Sequence, residues 1–438
     1  MPVIQRRALR AAQNRSVLAA LGALVTLALI SVTLSRYGLS TLAVTHAAVR
    51  HWLGGDGLYS YRQPVTQAGA ALPPALAILL APLALLPLKA AGWLLALAGY
   101  AALLLSAVVL AGPIARRHDR RRTPLALVVT ALALLTEPVR AALGEGGPEL
   151  LLFGLIVADV VGLRRALRWP ADHGSAPHLP LRYRVRRSWL DGSWAGAGTG
   201  LAAAFGVTPL FFLAGLFVLG QRRAALTALT TSVTVTLAGL LFAPRETVTW
   251  FGDTLWELNR TESLNAPGNQ ALAGVLARLY GFPAPPVLVW LAFAVLLLAV
   301  GLIRARAAST AGDQVTAFTL IGLAAAAVGP MTTPAQLIWL LPALLVLADG
   351  AVRRRAPARG PDPSRFAGRL PAASMMCGYV LLVVAPAPLL TCDGYAFTLV
   401  LLVGALPWRP APPPVRFGVS GRRAAIPVPR RRLGPTDS

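Results

Sequence analysis

The stretch AGWLLALAGYAALLLSAVVLA, residues 91–111, is an apolar run without a single charged side chain. As a helix rising about 1.5 Å per residue it would be about 31 Å long, which matches the ~30 Å hydrocarbon core of a bilayer. Similar runs recur at Val17–Leu34, Ala224–Ala243, Val287–Ile303 and Ala372–Leu390. With 56% hydrophobic and 13% charged residues, the sequence predicts an all-α polytopic membrane protein.

The first apolar run, Val17–Leu34, continues directly into Arg36 and Tyr37. Because no small-residue cleavage pattern follows it, we interpret it as a retained membrane helix and not as a signal peptide. Together with the other runs it gives about twelve expected crossings. The segment 71–88 is left open, because its four prolines would kink or break a regular helix. It is either a re-entrant or broken segment, or a further short crossing.

Basic residues are concentrated in short clusters between the apolar runs, such as RRHDRRR at 116–122 and RYRVRR at 182–187. The positive-inside rule places such clusters in the cytoplasm. With this assignment, cytoplasmic segments hold 33 Arg and 6 acidic residues, and outer segments hold 7 Arg and 9 acidic residues. The net charge of +24 is therefore mainly a topology signal, with attraction to anionic lipid as a second effect. It does not indicate a nucleic-acid partner, because no basic face interleaved with aromatic residues lies outside the membrane.

The chain divides into a cytoplasmic N-terminus, a transmembrane domain and a basic cytoplasmic tail that we expect to be disordered. Two long outer loops and one cytoplasmic insertion interrupt the transmembrane domain. The expected bounds are 1–16 for the N-terminus, 17–408 for the transmembrane domain, 36–70 and 244–285 for the outer loops, 164–192 for the insertion and 409–438 for the tail. Function would then lie on the outer face, where the two long loops can meet.

The first outer loop contains VTHAAVRHWLGGDGLY, residues 44–59, which is longer than a plain connector needs to be. Residues 41–53 fit an amphipathic helix with Leu42, Val49 and Leu53 on one face, and the glycine pair that follows ends it. The helix either lies on the outer leaflet and anchors through Trp52, or has a functional role in the loop.

The second outer loop contains two further helical patterns. Trp250, Leu255 and Leu258 suggest another interfacial helix, and the pattern resumes after APGNQ. Asn269 and Gln270 open this last helix either as an N-cap and its polar neighbour, or as amide groups offered to sugar hydroxyls. In the second interpretation, Arg278 would be placed for a phosphate.

Sugar transfer to a hydroxyl benefits from a carboxylate that accepts the hydroxyl proton. Nine acidic residues lie in the outer segments, and no spacing singles one out. They are Asp56, Glu137, Glu145, Glu149, Glu246, Asp253, Glu257, Glu262 and Asp393. Two further acids, Asp159 and Asp349, lie near the inner ends of apolar runs, either paired with nearby Arg or as part of an ion path.

The sequence contains no P-loop, dinucleotide fingerprint or zinc pattern, so it predicts neither a metal nor a cofactor. An enzyme on the outer face has no access to nucleotide-activated substrates. It would need an activated donor that the membrane itself presents.

Several blocks, in this order and spacing, resemble one protein family. They are AAVRHWLGGDGLYSY at 47–61, PPALAILLAPLALLPLKAAGW at 73–93, TEPVRAALG at 136–144, GLAAAFGVTP at 200–209, PGNQALAGVLARLYG at 267–281 and GPMTTPAQLIWLLPALL at 329–345. The chain is similar from about residue 36 to 408 to glycosyltransferase family 87. These are GT-C-type membrane mannosyltransferases of actinobacteria.

The resemblance implies a GT-C-like fold with periplasmic loop helices in the bacterial plasma membrane. It implies a polyprenyl-phosphate-sugar donor with mannose as the sugar, and a glycolipid or lipoglycan acceptor, with membrane lipids as further partners. Catalysis would be metal-independent inversion, with a loop carboxylate as base and lipid phosphate as the leaving group. Asp56, the only acid of the first outer loop, would take the catalytic role. The implied substrate-binding residues are Tyr59, Glu149, Asn269, Gln270 and Arg278.

The chain departs from the family pattern at several polar positions. Thr41 and Thr45 stand where an Asp and a Tyr are expected, and Ala335 and Gln336 stand where His is expected. One alternative is therefore a catalytically inactive relative that binds lipid-linked sugar or scaffolds an active mannosyltransferase. Another is a transporter or lipid flippase, since broken helices around Pro209 fit that class.

Overall fold

The computed structural model describes residues 2–117, 121–168, 189–355, 369–384 and 390–408. Within these ranges every regular element is a helix, and the sole β-type pairing is an isolated antiparallel bridge between Arg62 and Gly69. The predicted all-α class is confirmed. The predicted tail at 409–438 and most of the predicted insertion at 164–192 lie outside the described residues.

The first half of the chain forms long helices joined by short breaks, with one long loop after the second helix. These helices are α1 Pro2–Tyr37, α2 Ser40–Leu53, α3 Pro74–Ala84, α4 Leu88–Arg117, α5 Arg122–Leu134, α6 Glu137–Glu145 and α7 Glu149–Arg168.

The second half contains the other long loop, between its fourth and fifth α-helices. The helices are α8 Ala197–Phe205, α9 Leu210–Val218, α10 Arg222–Phe242, α11 Pro244–Gly252, a 3-10 turn Thr254–Trp256, α12 Leu272–Tyr280, α13 Val287–Thr310, α14 Gln314–Val328, a 3-10 segment Pro334–Trp339, α15 Leu340–Arg355, α16 Arg369–Val384 and α17 Gly394–Ala405.

Five stretches are long and apolar enough to cross a membrane. They are Ala20–Tyr37, Leu88–Arg116, Arg222–Phe242, Val287–Thr310 and Pro334–Val352. A sixth is reached if α5 and α6 are counted as one span, although they meet at a 75° bend and α6 is too short to cross alone. The chain is thus a multi-pass protein by length and composition, whereas the expected count of about twelve crossings is not confirmed.

Prolines interrupt the helices at two places that the sequence marks. The segment 71–88 contains the 11-residue helix α3, which ends before Pro87 and is about half the length of a span. Between α8 and α9 the helix breaks over residues 206–209, where Gly206 is extended and Pro209 starts the next helix. A short helix is tolerated at membrane depth where other helices cover its ends.

Asp159 explains how one of these breaks is stabilised. Its buried carboxylate accepts hydrogen bonds from the backbone N–H groups of Gly198 (3.2 Å) and Thr199 (2.6 Å) at the start of α8. Those N–H groups have no partner inside the helix, so the carboxylate caps them. Neither an Arg pair nor an ion path, the two expected roles of Asp159, describes these contacts.

The centre of the bundle is α14, of whose fifteen residues all except Val315 are buried. Small side chains, including the run Ala324–Ala327, let α13 pack closely against it. An aromatic group lies beside α14: the Trp339 ring is 4.7 Å from Phe212 and 4.9 Å from Phe153, measured between centroids. The helices α6 and α7, whose ends carry polar residues, pack against the 3-10 segment Pro334–Trp339 beside this core.

The two long loops lie on the same side and contact each other through Arg260. The guanidinium of Arg260 is buried. Its Nε–H donates a hydrogen bond to the Ala70 carbonyl at 2.8 Å, and its Nη2 donates one to the Tyr59 carbonyl. Nη1 pairs with Glu257. The Tyr59 ring lies under the same guanidinium and stacks on Trp250, with a centroid distance of 5.9 Å. One buried cation therefore joins the loop after α2 to the loop after α11.

Candidate active site

Two carboxyl groups flank the turn where α6 and α7 meet. Glu145 is the last residue of α6 and Glu149 opens α7. The turn is tight because Gly146 adopts φ +74°, a conformation that side chains rarely allow. Glu137 lies at the other end of α6, about 12 Å along the helix axis from Glu145. The charges of Glu137 and of Glu262 in the second long loop act on Glu145, and we call these four residues the carboxyl cluster.

Glu145 is held by a residue of the first loop helix. The Thr41 hydroxyl of α2 donates a hydrogen bond to Glu145 Oε2 at 3.2 Å. Burial raises the pKa of the Glu145 carboxyl to about 7, the Thr41 hydrogen bond opposes that rise, and the charges of Glu137 and Glu262 add to it. A carboxyl group with a pKa near 7 can accept a proton at neutral pH, as a general base must.

Glu149 has an unused buried acceptor. Among the described residues its Oε2 has no hydrogen-bond partner. Burial raises its pKa to about 7, its own backbone N–H opposes this, and the charge of Glu145 adds to the rise. Gly147 lies directly against it, because a Cβ there would be 1.9 Å from Glu149 Oε2. Buried acceptors are normally paired, so this oxygen has the chemistry to receive a substrate hydroxyl.

Glu137 has a different environment from the two carboxyls above. It is 6% exposed and accepts hydrogen bonds from the Tyr37 hydroxyl at 2.6 Å and from Arg140 Nη2 at 3.1 Å. Both carboxylate oxygens of Glu137 are therefore engaged with protein donors. These two bonds hold the Glu137 side chain in place at the start of α6.

Asp56, the predicted catalytic residue, lies in the turn after α2. Its side chain is 62% exposed, and Oδ2 is 3.3 Å from Nδ1 of His51. Gly54 and Gly55 separate it from the helix that carries Thr41. The contact with His51 places Asp56 on the loop surface, and nothing in this geometry tests its catalytic role.

Tyr59, predicted to bind substrate, is part of the apolar packing between the loops. It is 9% exposed, and its hydroxyl donates to the Leu72 carbonyl at 2.9 Å. With Trp250 on one face and Arg260 near its ring, the side chain is fully engaged with protein atoms. Its contacts explain the loop structure, and the expected contact with substrate stays a prediction.

Asn269 and Gln270 are fully buried and tie the second loop to the helices behind it. Asn269 Oδ1 accepts from the N–H groups of Ala271 (3.1 Å) and Thr332 (3.0 Å), and its amide donates to the Leu264 carbonyl. The Gln270 amide donates to Pro267 and Leu390 carbonyls. The N-cap of α12 is Ala271, so Asn269 closes a turn just before the helix and is not the N-cap itself. The contact of these amides with a sugar stays a prediction.

Arg278 also holds the second long loop in place. Its guanidinium donates to the carbonyls of Ala266 (2.6 Å) and Asn269 (2.8 Å) and pairs with the carboxylate of Asp393. These contacts join α12 to the start of α17. They occupy both Nη groups, so a phosphate would have to displace one of them, and the predicted phosphate contact stays a prediction.

An apolar cleft lies between α2 and α3, beside the carboxyl cluster. Its walls include Leu42, His46 and Leu80, and its free volume is about 10 Å³, so it is a shallow cleft. Leu42 follows Thr41 in α2 and also contacts the turn after Glu145, since a Cβ at Gly146 would be 2.8 Å from it. In the described part of the chain no three His, Cys, Asp or Glu side chains converge as metal ligands.

Sequence reasoning included Glu145 among nine outer acids but did not select it. The signal that could have done so is local: three Glu at the ends of two consecutive helices with a glycine-rich turn between them. The pairing with Thr41 spans 104 positions and has no sequence signature.

Comparison with known protein families identifies the family of this chain. The family model for glycosyltransferase family 87 matches residues 72–334, which is more than half of the chain. The chain belongs to glycosyltransferase family 87. The match includes α6 and α7 with their glutamates, and also Asn269, Gln270 and Arg278. Thr41, Asp56 and Tyr59 precede the matched residues.

Curated relatives are mycobacterial mannosyltransferases. A polyprenol-phosphate-mannose-dependent alpha-(1-2)-phosphatidylinositol mannoside mannosyltransferase of Mycobacterium tuberculosis is 28% identical over 298 residues, covering 65% of this chain and 64% of that one. Its counterpart in Mycolicibacterium smegmatis is 29% identical over 211 residues, 48% and 42% of the two chains. A pentamannoside mannosyltransferase of Mycolicibacterium smegmatis is 26% identical over 282 residues, 63% and 60%.

The alignment therefore spans less than two thirds of the length of each of these family 87 relatives. No solved structure gives a significant match to the chain. The family and the multi-pass membrane character are established by the match and by the apolar helices.

Proposed function

We propose that this chain is a membrane hexosyltransferase. It transfers a mannosyl group from polyprenyl-phosphate-mannose to a glycolipid or lipoglycan of the bacterial cell envelope. Membership of family 87 and the printed activities of the mycobacterial relatives support this proposal. The observation that carries it is the Glu145 carboxyl, which is partly buried, has a pKa of about 7, and accepts a hydrogen bond from Thr41.

The chemistry follows from this geometry. The acceptor hydroxyl oxygen forms a bond to the anomeric carbon while the bond from that carbon to the lipid phosphate oxygen breaks. Glu145 takes the hydroxyl proton, and polyprenyl phosphate leaves with the electron pair. A positioned base of this kind contributes roughly 10²–10⁴-fold in rate.

The neighbouring residues have supporting roles in this proposal. Glu149 offers its unpaired Oε2 to a sugar hydroxyl, in the substrate-binding role that its sequence position suggests. Asn269, Gln270 and Arg278 keep the second loop in place over the site. The apolar cleft beside Leu42 gives an apolar substrate a surface close to the carboxyl cluster.

Asp56 is the second candidate for the base. It belongs to the same loop as Thr41 but is exposed and pairs with His51. The raised pKa and partial burial of Glu145 favour Glu145, because a base with a pKa near neutral in a desolvated site is more effective than a carboxylate exposed to solvent.

The proposed topology has about twelve crossings, with both long loops in the periplasm. The shorter apolar helices, such as Gln314–Val328 and Gly394–Ala405, supply additional crossings in this scheme, whereas Pro74–Ala84 is a re-entrant or broken segment. A periplasmic site agrees with a donor that is anchored in the membrane by its lipid. It also agrees with the absence of a nucleotide-binding motif from the sequence.

The experiment is a transfer assay with the purified full chain in lipid nanodiscs. Polyprenyl-phosphate-mannose with a labelled sugar is the donor, and phosphatidylinositol mannoside is the acceptor. We expect labelled product with the unaltered chain, a loss of about 10²–10⁴-fold with Glu145→Gln, and less than about tenfold with Asp56→Asn. The reverse order of the two variants would assign the base to Asp56. Donor binding without any transfer would reject the enzyme and favour an inactive lipid-sugar-binding relative.

A further inference from the structure

The helix α11 exposes apolar side chains on the face that points away from the protein. Val248 is 67% exposed and Phe251 is 49% exposed. They are three residues apart and therefore share one face. Thr247 and Trp250, which are also three residues apart, are each 5% exposed and face the protein. The helix thus has one packed side and one uncovered apolar side.

The uncovered face continues in both directions. The Trp256 indole N–H donates to the Phe251 carbonyl at 2.9 Å, which holds its 71% exposed ring beside α11. At the other end, Leu241 and Phe242 are 76% and 72% exposed at the end of α10. We call the five residues Leu241, Phe242, Val248, Phe251 and Trp256 the α11 patch.

The position of the α11 patch identifies what covers it. Residues 222–242 form a candidate membrane span of which 17% is buried by the protein, so most of its surface faces lipid. The span ends at Phe242, and α11 begins two residues later at Pro244. The patch is therefore continuous with a lipid-facing surface and begins where the hydrocarbon core ends.

The residue types of the α11 patch and its surroundings agree with a position at the boundary of the hydrocarbon core. Trp residues concentrate at the boundary between acyl chains and headgroups, where the ring is in an apolar layer and the N–H is satisfied. Arg245 is exposed and lies three residues before Val248, so it is on the same face of α11. A guanidinium at that position can contact lipid phosphates.

We propose that α11 lies in the plane of the membrane interface and inserts the α11 patch among the lipids of the leaflet that faces the two long loops. The sequence suggests Trp250 as the apolar residue of such a helix, but the structure buries Trp250 against Tyr59. Val248, Phe251 and Trp256 make the contact instead. Because α11 touches lipid on one side and Tyr59 on the other, it attaches both loops to the membrane surface.

The test measures the depth of a spin label at residue 248. Val248→Cys is introduced into the full chain carrying Cys377→Ser and Cys392→Ser, and the labelled protein is reconstituted into phosphatidylglycerol–phosphatidylethanolamine vesicles. Val65→Cys is the matched control, because Val65 is 90% exposed in the first loop. We expect the label at 248 to be more accessible to dissolved oxygen than to a water-soluble nickel chelate. Greater accessibility to the chelate, or inaccessibility to both probes as in a protein contact, would overturn the proposal.

A second measurement needs no cysteine variant. Vesicles of dibrominated phosphatidylcholine quench tryptophan fluorescence near the interface. We expect Trp256→Phe, in the otherwise unaltered chain, to lose a measurable part of the quenchable emission. An unchanged quenchable emission in Trp256→Phe would contradict insertion of the α11 patch.

Discussion

Thr41 and Glu145, 104 positions apart, are joined by a hydrogen bond from the threonine hydroxyl to the glutamate carboxylate. The bond connects the first residues of the loop helix α2 to the last residue of α6. It stabilises the charged form of a carboxyl whose pKa burial raises to about 7. Thr41 thereby adjusts the proton affinity of the proposed base without being the base.

The first prediction concerns this adjustment. Thr41→Val removes the hydroxyl at nearly constant volume, so the pKa of Glu145 rises further. Because the base must be deprotonated, the acidic limb of the pH profile of kcat/KM moves to higher pH. A profile from about pH 5 to 9 measures the shift, and Thr41→Ser, which keeps the hydroxyl, leaves the limb in place. An unmoved limb in Thr41→Val would show that Glu145 does not set it.

The second prediction concerns Glu149. Gly147→Ala places a Cβ within 1.9 Å of Glu149 Oε2 and must displace that side chain. We expect a higher KM for the donor with the helices intact by circular dichroism. Gly112→Ala is the matched control, since a Cβ at Gly112 meets nothing within 4 Å. Equal kinetics in both variants would remove Glu149 from the binding site.

The third prediction concerns the stability of the loops. Arg260→Met leaves the Tyr59 and Ala70 carbonyls without their donor, which we expect to destabilise the fold by about 3 kcal/mol. Thermal unfolding in detergent and limited proteolysis of the first loop measure the effect. Arg62→Met, which breaks an exposed pair with Glu257, costs less than about 1 kcal/mol. If both variants unfold alike, Arg260 does not join the loops as described.

The fourth prediction is the pH dependence of stability. Glu145 and Glu149 have folded-state pKa values near 7, above the ordinary value of 4.5. Between these values the folded state binds more protons than the unfolded state, so stability falls as pH rises from about 4.5 through 7. Melting temperatures across this range measure the slope. In Glu149→Gln we expect a shallower slope, and an unchanged slope would mean that Glu149 does not titrate there.

Much of the helical architecture could be predicted from local sequence. The apolar runs expected at 223–243 and 286–303 are the observed helices Arg222–Phe242 and Val287–Thr310. The break expected around Pro209 is present between α8 and α9. Apolarity and proline act on neighbouring residues, so a single sequence records their effects.

The candidate site was harder to predict, because its contacts join distant parts of the chain. Sequence reasoning selected Asp56 for its loop, whereas the structure brings Thr41, Glu145 and Glu149 together through packing of α2, α6 and α7. The sequence predicts Asn269 and Arg278 as substrate-binding residues. Their buried hydrogen bonds to backbone carbonyls depend on the geometry of the loop, which residue spacing does not reveal.

The Arg260 contacts also set an order of events during synthesis. The carbonyl of Ala70 leaves the ribosome 190 residues before its donor does. The first long loop can therefore complete this contact only after the helices α3 to α11 have been synthesised. Joining of the two long loops is consequently a late step, and a nascent chain that ends before Arg260 lacks the contact.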